Sequence, residues 1–516
     1  MKHPLSSQSN RKRERPTDVG GCTLITSSTQ WESSHWAGFP FREPYMNTFS
    51  LLITPKIGEA RGVPRIWLEG QKLLSAGIEI GTRFSLIRLE GQTRLELVPA
   101  TSLEATKADV TVSRRVKNGI ATPLIEIRTA LLRSLFKTAE KVRVVIRLGR
   151  IVITPLDNDK RIEERLARLK RKLDAQEPLA VCSLFHGGGV LDRAIHAGLA
   201  RSGIDTFVRI GIELEDQYLD ASLRNNPMLW RDTSFAICAD VRDVQRGTGT
   251  PECDLVVAGI PCTGASRAGK AKNKLNSAEQ HPSAGSLFID FLDFVRYSNP
   301  AMAIVENVPD YQTSTSMEVI RSVLKSLGYR LFECILDGAV FGAFESRSRM
   351  ALVAYTEGAF EPLTLDQITP LRTKERSLKH LMEAVPDTDE SWKCYDYLGR
   401  KEERDIASGK GFRRQLLTPE ATSCGCIGRG YAKARSTEPF IRHPRNPALS
   451  RLLTVSEHAR VKTIPVELVE GVSNTTAHEI LGQSVIYTAF EAIAAAVGKL
   501  ITKLHRTATP AGVIAA

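Results

Sequence analysis

From residue 179 onward, short and almost uninterrupted apolar runs recur too far apart to be joined by hairpins: "LAVCSL", "FVRIGIE", "FAIC", "DLVVAGI" and "AMAIVE". Between them lie stretches with helical apolar spacing, such as "VLDRAIHAGL". Strands that are apolar on both faces and alternate with helices must be covered on both sides by those helices. The pattern therefore dictates an α/β fold with a doubly wound, mostly parallel sheet. In such a sheet ligands bind in the crevice outside the carboxyl ends of the strands, so the residues that end each run are where function is sought.

The first run ends in "FHGGG", residues 185–189. Glycines at a strand-to-helix turn allow positive φ and close approach of backbone to a nucleotide-like ligand, although a tight turn serving only the fold looks the same. The second ends at Glu213, where a carboxylate can accept from two ribose hydroxyls. The third ends at Asp240, suited to an exocyclic amine. Either acid alone also reads as a surface charge or a helix cap. The fourth runs into Pro261 and Cys262: the proline stops ladder pairing and the thiol lands at the ligand edge, where the bland reading is a buried, packing cysteine. The fifth ends in Glu306 and Asn307. A carboxyl desolvated in that crevice favours its protonated form.

A chain of 516 residues is longer than one core supports, so two to four domains are expected. Residues 1–47 are polar with a basic cluster and read as a mobile arm. Residues 48–155 alternate apolar and polar as a mainly-β accessory domain. Within it, the segment from Pro64 to Pro99 and the segment from Pro123 to Pro155 share an order of strand, Leu-Leu helical turn and hairpin, an internal repeat. The first copy, with "GIEIGTRFSL", resembles the AbrB-like, swapped-hairpin class of small DNA-binding β domains. Residues 156–177 are highly charged with Ile162, Leu166 and Leu169 at helical spacing, which reads as a solvated helical linker.

Lys and Arg number 70 against 58 Asp and Glu, a net charge of +12 that points to a polyanionic partner. The nine cysteines form no closely spaced framework, and "SCGC" at residues 423–426 has no second pair at zinc-site spacing, so reduced thiols and no metal are expected. No apolar run approaches the roughly 20 residues that cross a membrane, and no apolar leader core is visible. The expectation is a soluble cytoplasmic protein without membrane contact, a monomer.

The ordered set "SLFHGGG", "GIELE", "ADVRD", "AGIPCTGAS", "VENVPD", "ESRSRM", "RLLTVSEHARVKTIP" and "LGQSV" resembles the cytosine-5 DNA methyltransferases. The resemblance runs from about residue 179 to the C-terminus and implies a catalytic domain over 178–360 and 451–516, interrupted by a target-recognition region over 361–450. It implies S-adenosylmethionine as cofactor and duplex DNA as partner. Cys262 becomes the nucleophile toward carbon 6 of a flipped-out cytosine, and Glu306 the acid that meets the charge developing at N3. Arg347 and Arg349 match the family's paired arginines, one for the base and one for the acid and catalytic loop. Phe185, Gly187, Gly189, Glu213, Asp240, Pro261, Ser484 and Val485 map to the cofactor pocket, and residues 263–283 to a basic lid over DNA. Four positions depart from the family: Ser183 stands for Asp, Thr263 and Glu345 for Gln, and Gln483 for Asn. The alternatives are an RNA cytosine-5 methyltransferase of the same fold and a DNA-binding regulator without turnover.

Overall fold

The computed structural model of the chain describes residues 50–101, 109–137, 139–261 and 277–508. The expected N-terminal arm lies outside them, as do Cys262, Thr263 and the polar stretch as far as residue 276.

Residues 51–155 form β1 (Leu51–Ile53), β2 (Ile57–Ala60), β3 (Val63–Glu69), α1 (Gln71–Ser75), β4 (Arg83–Arg88), β5 (Leu95–Pro99), β6 (Val110–Thr111), β7 (Ser113–Lys117), β8 (Ile120–Arg128), α2 (Leu131–Phe136), β9 (Val142–Arg147) and β10 (Arg150–Pro155). They make a six-stranded sheet in the order β1-β9-β10-β5-β4-β6 and a four-stranded sheet in the order β2-β3-β8-β7. Period-2 alternation drives both: Val142, Val144 and Ile146 of β9 are buried while Arg143 and Arg147 point away. The inward residues, among them Ile66, Leu68, Phe84, Leu97, Ile125, Ile127 and Ile151, share one core. The order strand, short helix, hairpin occurs twice, and the equivalent strands pair with each other, β3 with β8 and β5 with β10, both antiparallel.

β10 leads directly into α3 (Asp157–Asp174). The reading of this helix as a solvated linker is corrected by its cations. Arg165 is 2% exposed, lies 3.9 Å over the Tyr329 ring and donates to the carbonyls of Leu327 and Gly328. Arg168 Nε and Lys172 Nζ grip the two oxygens of Asp254, itself 1% exposed, at 3.1 and 2.6 Å. The physical reason is that long basic side chains bury their stems against apolar surface while the head group reaches a buried acceptor. A stripe that reads as solvated charge is a docking face.

Asp254 immediately precedes the middle strand of a seven-stranded sheet made of β11 (Leu179–Leu184), β12 (Thr206–Glu213), β13 (Phe235–Cys238), β14 (Leu255–Gly259), β15 (Met302–Asn307), β16 (Tyr329–Asp337) and β17 (Ser348–Thr356). Its order is β13-β12-β11-β14-β15-β17-β16; the first five are mutually parallel and β17 runs antiparallel to both its neighbours. Alternate residues feed two cores. Val181, Leu255, Val257, Ile304 and Val353 face α4 (Val190–Ala200), α10 (Asn474–Gln483) and α11 (Tyr487–Ala508); Cys182, Val256, Ala258, Val305 and Leu352 face α6 (Leu287–Ser298) and α7 (Thr315–Ser326). This is the α/β, doubly wound, mostly parallel architecture that the apolar runs imply.

After β12 comes α5 (Asp216–Asn225), and after β17 a smaller sheet is built from β18 (Lys393–Cys394), β19 (Gln415–Leu417), β20 (Pro439–Arg442) and β21 (Leu449–Arg451), with α8 (Asp396–Ala407) between the first two. α9 (Val455–Val461), closed by a reciprocal Thr454–Glu457 cap, returns the chain to the large sheet. Among the described residues no single helix is long and apolar enough to cross a membrane, and no three His, Cys, Asp or Glu side chains converge as metal ligands would.

Candidate active site

The carboxyl ends of β13, β12, β11, β14 and β15 bring Asp240, Glu213, the glycine turn, Pro261 and Glu306 to one edge of the sheet, in that spatial order. The turn after β11 holds Phe185, Gly187 and Gly189 at φ of 59°, 60° and 75°. A Cβ built on Gly187 meets nothing within 4 Å, so this face of the turn is open; one on Gly189 lies 2.5 Å from Ser222 Oγ and 2.9 Å from Asn226 Nδ2, so that face is closed. Glu213 staples the turn: its Oε2 accepts from the Gly187 N–H at 2.6 Å and its Oε1 from the Glu215 N–H at 2.9 Å. Each oxygen keeps a further lone pair for a hydroxyl.

Asp240 is more committed. It caps the turn after β13, accepting from the Arg242 backbone N–H at 3.0 Å and from the Arg242 guanidinium at 2.9 and 2.5 Å. The Arg242 hydrogen bonds hold its carboxyl down at about 2. Ser484 and Val485 follow α10, whose Ile480 side chain packs behind the glycine turn at Gly188.

Ser183, on β11, does not leave its site without an acid. Its Oγ donates to Asp192 Oδ2 at 2.7 Å and lies 2.8 Å from His186 Nδ1, while His186 Nε2 meets Ser222 Oγ at 2.7 Å. The carboxylate is supplied from α4 instead of from the strand. Sequence reasoning misses Asp192 because an acid in the first helical turn reads as a partner of the helix dipole.

At the other half of the edge, the antiparallel run of β17 matters most. Its first residues lie beside the last residues of β15, with Asn307 opposite Met350 and Glu306 opposite Ala351. Arg349 thereby reaches Glu306, with Nε 2.7 Å from Oε1, both side chains almost fully buried. Asn307, 1% exposed, donates through Nδ2 to the Ile260 carbonyl at 3.1 Å and accepts from the Val308 N–H at 2.8 Å. It clamps the end of β15 to the chain entering Pro261. Cys262 itself falls outside the described residues.

Arg347 turns the other way. Its Nη1 donates to Cys426 Sγ at 3.2 Å and to the Ile427 carbonyl at 3.3 Å, and its Nη2 to the Gly482 carbonyl at 3.3 Å. It so joins the sheet edge to the "SCGC" segment and to the end of α10. Beside it Glu345, fully buried, accepts from the Ile427 N–H at 2.7 Å, with Arg347 Nη1 at 3.4 Å and Lys462 Nζ at 3.4 Å on its two oxygens. Burial works to raise the Glu345 carboxyl, but Lys462 and Arg347 outweigh it and hold it below its usual range. Burial, then the charge of Arg347, pushes the Lys462 ammonium down to about 8. Lys462 is the second residue missed: in "HARVKTIP" it reads as the solvated cation that commonly follows a helix.

A family model described as C-5 cytosine-specific DNA methylase matches residues 180–499. Among curated relatives, the type II methyltransferase M1.ScrFI of Lactococcus lactis subsp. cremoris is 27% identical over 250 residues, 47% of this chain and 62% of that protein. The type II methyltransferase M.NlaX of Neisseria lactamica is 27% identical over 270 residues, 50% of this chain and 80% of that protein. The tRNA (cytosine(38)-C(5))-methyltransferase of Schizosaccharomyces pombe is 25% identical over 254 residues, covering 45% and 73%. The chain thus spans less than two thirds of M1.ScrFI and more of the other two. The family match takes in the large sheet from Ala180 onward, both arginines and the glycine turn, and the chain belongs to the C-5 cytosine-specific DNA methylase family.

Proposed function

We propose that this chain is a DNA cytosine-5 methyltransferase, a cytoplasmic, monomeric modification enzyme that acts on a cytosine extruded from duplex DNA. The observation that carries the reading is the Glu306–Arg349 pair at 2.7 Å, one strand from the point where β14 ends and the chain runs into Pro261 and Cys262. Carbon 5 of cytosine is a weak nucleophile. Addition of the Cys262 thiolate to carbon 6 makes carbon 5 electron-rich, and Glu306 would meet the charge that moves toward N3. Arg349, paired with that carboxyl, would orient it toward the base. S-adenosylmethionine, when bound, supplies the electrophilic methyl group. Loss of the carbon 5 proton then expels the thiolate and restores the enzyme.

The open face of Gly187, the remaining lone pairs of Glu213 and the strand-end position of Asp240 fit an adenosyl ligand of this kind; Phe185, Gly189, Pro261, Ser484 and Val485 would complete its pocket. Arg347, held by Cys426 and Ile427, would keep the recognition segment against the edge that receives the base. The segment over residues 361–450 would read base edges.

The test is labelled methyl transfer from S-adenosylmethionine to duplex DNA and, in parallel, to transfer RNA. Cys262→Ser is expected to abolish incorporation, and a duplex with 5-fluorocytosine at the target should trap a covalent complex, because fluorine cannot leave as a proton. Incorporation surviving in the serine variant would refute the mechanism. Transfer RNA as the sole acceptor would move the reading to the activity named for the Schizosaccharomyces pombe relative.

A further inference from the structure

The positive charge of this chain is not spread evenly. Residues 50–155 hold 18 Lys and Arg against 9 Asp and Glu, which accounts for most of the net +12 of the whole protein. The β strands arrange part of that excess in a way that opposes folding. β9 pairs with β1 through Ile53 opposite Val144 and Leu52 opposite Val145, and the same register continues to a bridge between Lys56 and Lys141. On the other side of β9, Arg147 stands opposite Arg150. Like charges directly opposite across a ladder are destabilising.

The strand's alternation puts these groups on one face. Val142, Val144 and Ile146 point into the core, so Lys141, Arg143 and Arg147 point out, spaced by multiples of about 6.6 Å along the strand. Lys56 and Arg150 join them from the flanking strands. Glu96, the acid reaching the same side from β5, is consumed by Arg94 and by Arg150, whose Nε and Nη2 lie 2.9 and 2.8 Å from its two oxygens. Among the described residues Lys56, Lys141, Arg143 and Arg147 make no ion pair. The second sheet is different: on its outer face Arg65 meets Glu126 and Arg115 meets Glu69, with Trp67 between the two guanidinium groups. That face carries two acids for its cations, although Arg65 also stands opposite Arg128; the face of β1, β9 and β10 carries the longer file of cations, with Glu96 as its acid.

We propose that the outward face of β1, β9 and β10 is a docking surface for the phosphate backbone of duplex DNA, separate from the crevice that takes the base and indifferent to sequence. The reading as a DNA methyltransferase contributes only the choice of DNA as the polyanion. Bound phosphates would relieve both like-charge pairs and release counterions, so the contact is expected to be steeply salt-dependent.

The test uses the full chain and a duplex of alternating dA and dT, which has no cytosine and reports binding without methyl transfer. The variant Lys56→Gln/Lys141→Gln/Arg143→Gln/Arg147→Gln should bind it at least about tenfold more weakly, with a log K against log salt slope smaller by roughly 2 to 3. A control that removes four cations elsewhere on the module, Arg61→Gln/Lys72→Gln/Arg88→Gln/Lys117→Gln, should lose clearly less. The first variant should unfold at the same or a slightly higher temperature than the parent, since like-charge pairs are removed. Equal losses in the two variants, or an unchanged slope in the first, would overturn the proposal. So would binding to phosphatidylserine vesicles that depends on the same four residues while duplex binding does not. Loss of binding in a chain that methylates no DNA would leave the surface standing and sink the enzyme reading; methylation with unaltered binding would do the reverse.

Discussion

Gly189 sits where two demands meet. Its φ of 75° is open to glycine at little cost, and its missing Cβ leaves room for Ser222 and Asn226. Gly189→Ala should destabilise the protein by about 1–3 kcal/mol, from strain and overpacking together, and weaken S-adenosylmethionine binding by calorimetry. Gly187→Ala, strained but facing open space, should lose less stability. The two glycines were both legible as a turn, but not which one is closed from behind, because Ser222 and Asn226 are supplied by another helix. Glu213 and Glu306 were legible too, since each ends an apolar run. Their partners were not: the Gly187 N–H on Glu213 and Arg349 on Glu306 come from strands or turns distant in sequence.

β17 and α9 show how elements, more than single residues, set this site. A motif with two arginines two apart could occupy any surface loop. The reversal of β17 within a parallel sheet puts it at the carboxyl edge of β15, and no local pattern announces that reversal. α9 then delivers Lys462 beneath the same motif, so that Glu345, which departs from the family's usual Gln, is met by a cation in the interior. Glu345→Gln would leave Lys462 buried beside Arg347 without its counter-charge, and should cost about 3 kcal/mol in thermal or denaturant unfolding. Glu345→Gln/Lys462→Met should recover most of it. The pair also predicts a pH dependence. An ammonium that titrates near 8 is charged below that pH and neutral above it, so the brace on Glu345 and Arg347 weakens as pH rises through 8. The rate of methyl transfer should fall on that alkaline side, and Lys462→Met should flatten the fall.

The chain as a whole couples a cationic β module to a family catalytic sheet through α3. Composition revealed the polyanionic bias, but only strand register showed which face gathers the longest file of cations. The fold class was legible because buried parallel strands have no polar face to blur them. The role of α3 was not, because a basic residue on a solvated helix and one gripping a buried carboxylate are spelled the same way. That grip has a practical reach for anyone cutting the protein into pieces. The family match begins at residue 180, and the obvious place to start a shortened chain is just before it. Such a cut discards Arg168 and Lys172, leaves the Ala180 N–H on Asp254 at the entrance to β14, and bares the apolar surface that Leu169 and the Arg165 stem cover, a loss of about 2–5 kcal/mol. A fragment starting at residue 178 should therefore melt well below one starting at 156, or collect as insoluble material, although both contain every family motif. The smallest piece that folds is larger than the smallest piece that is recognisable.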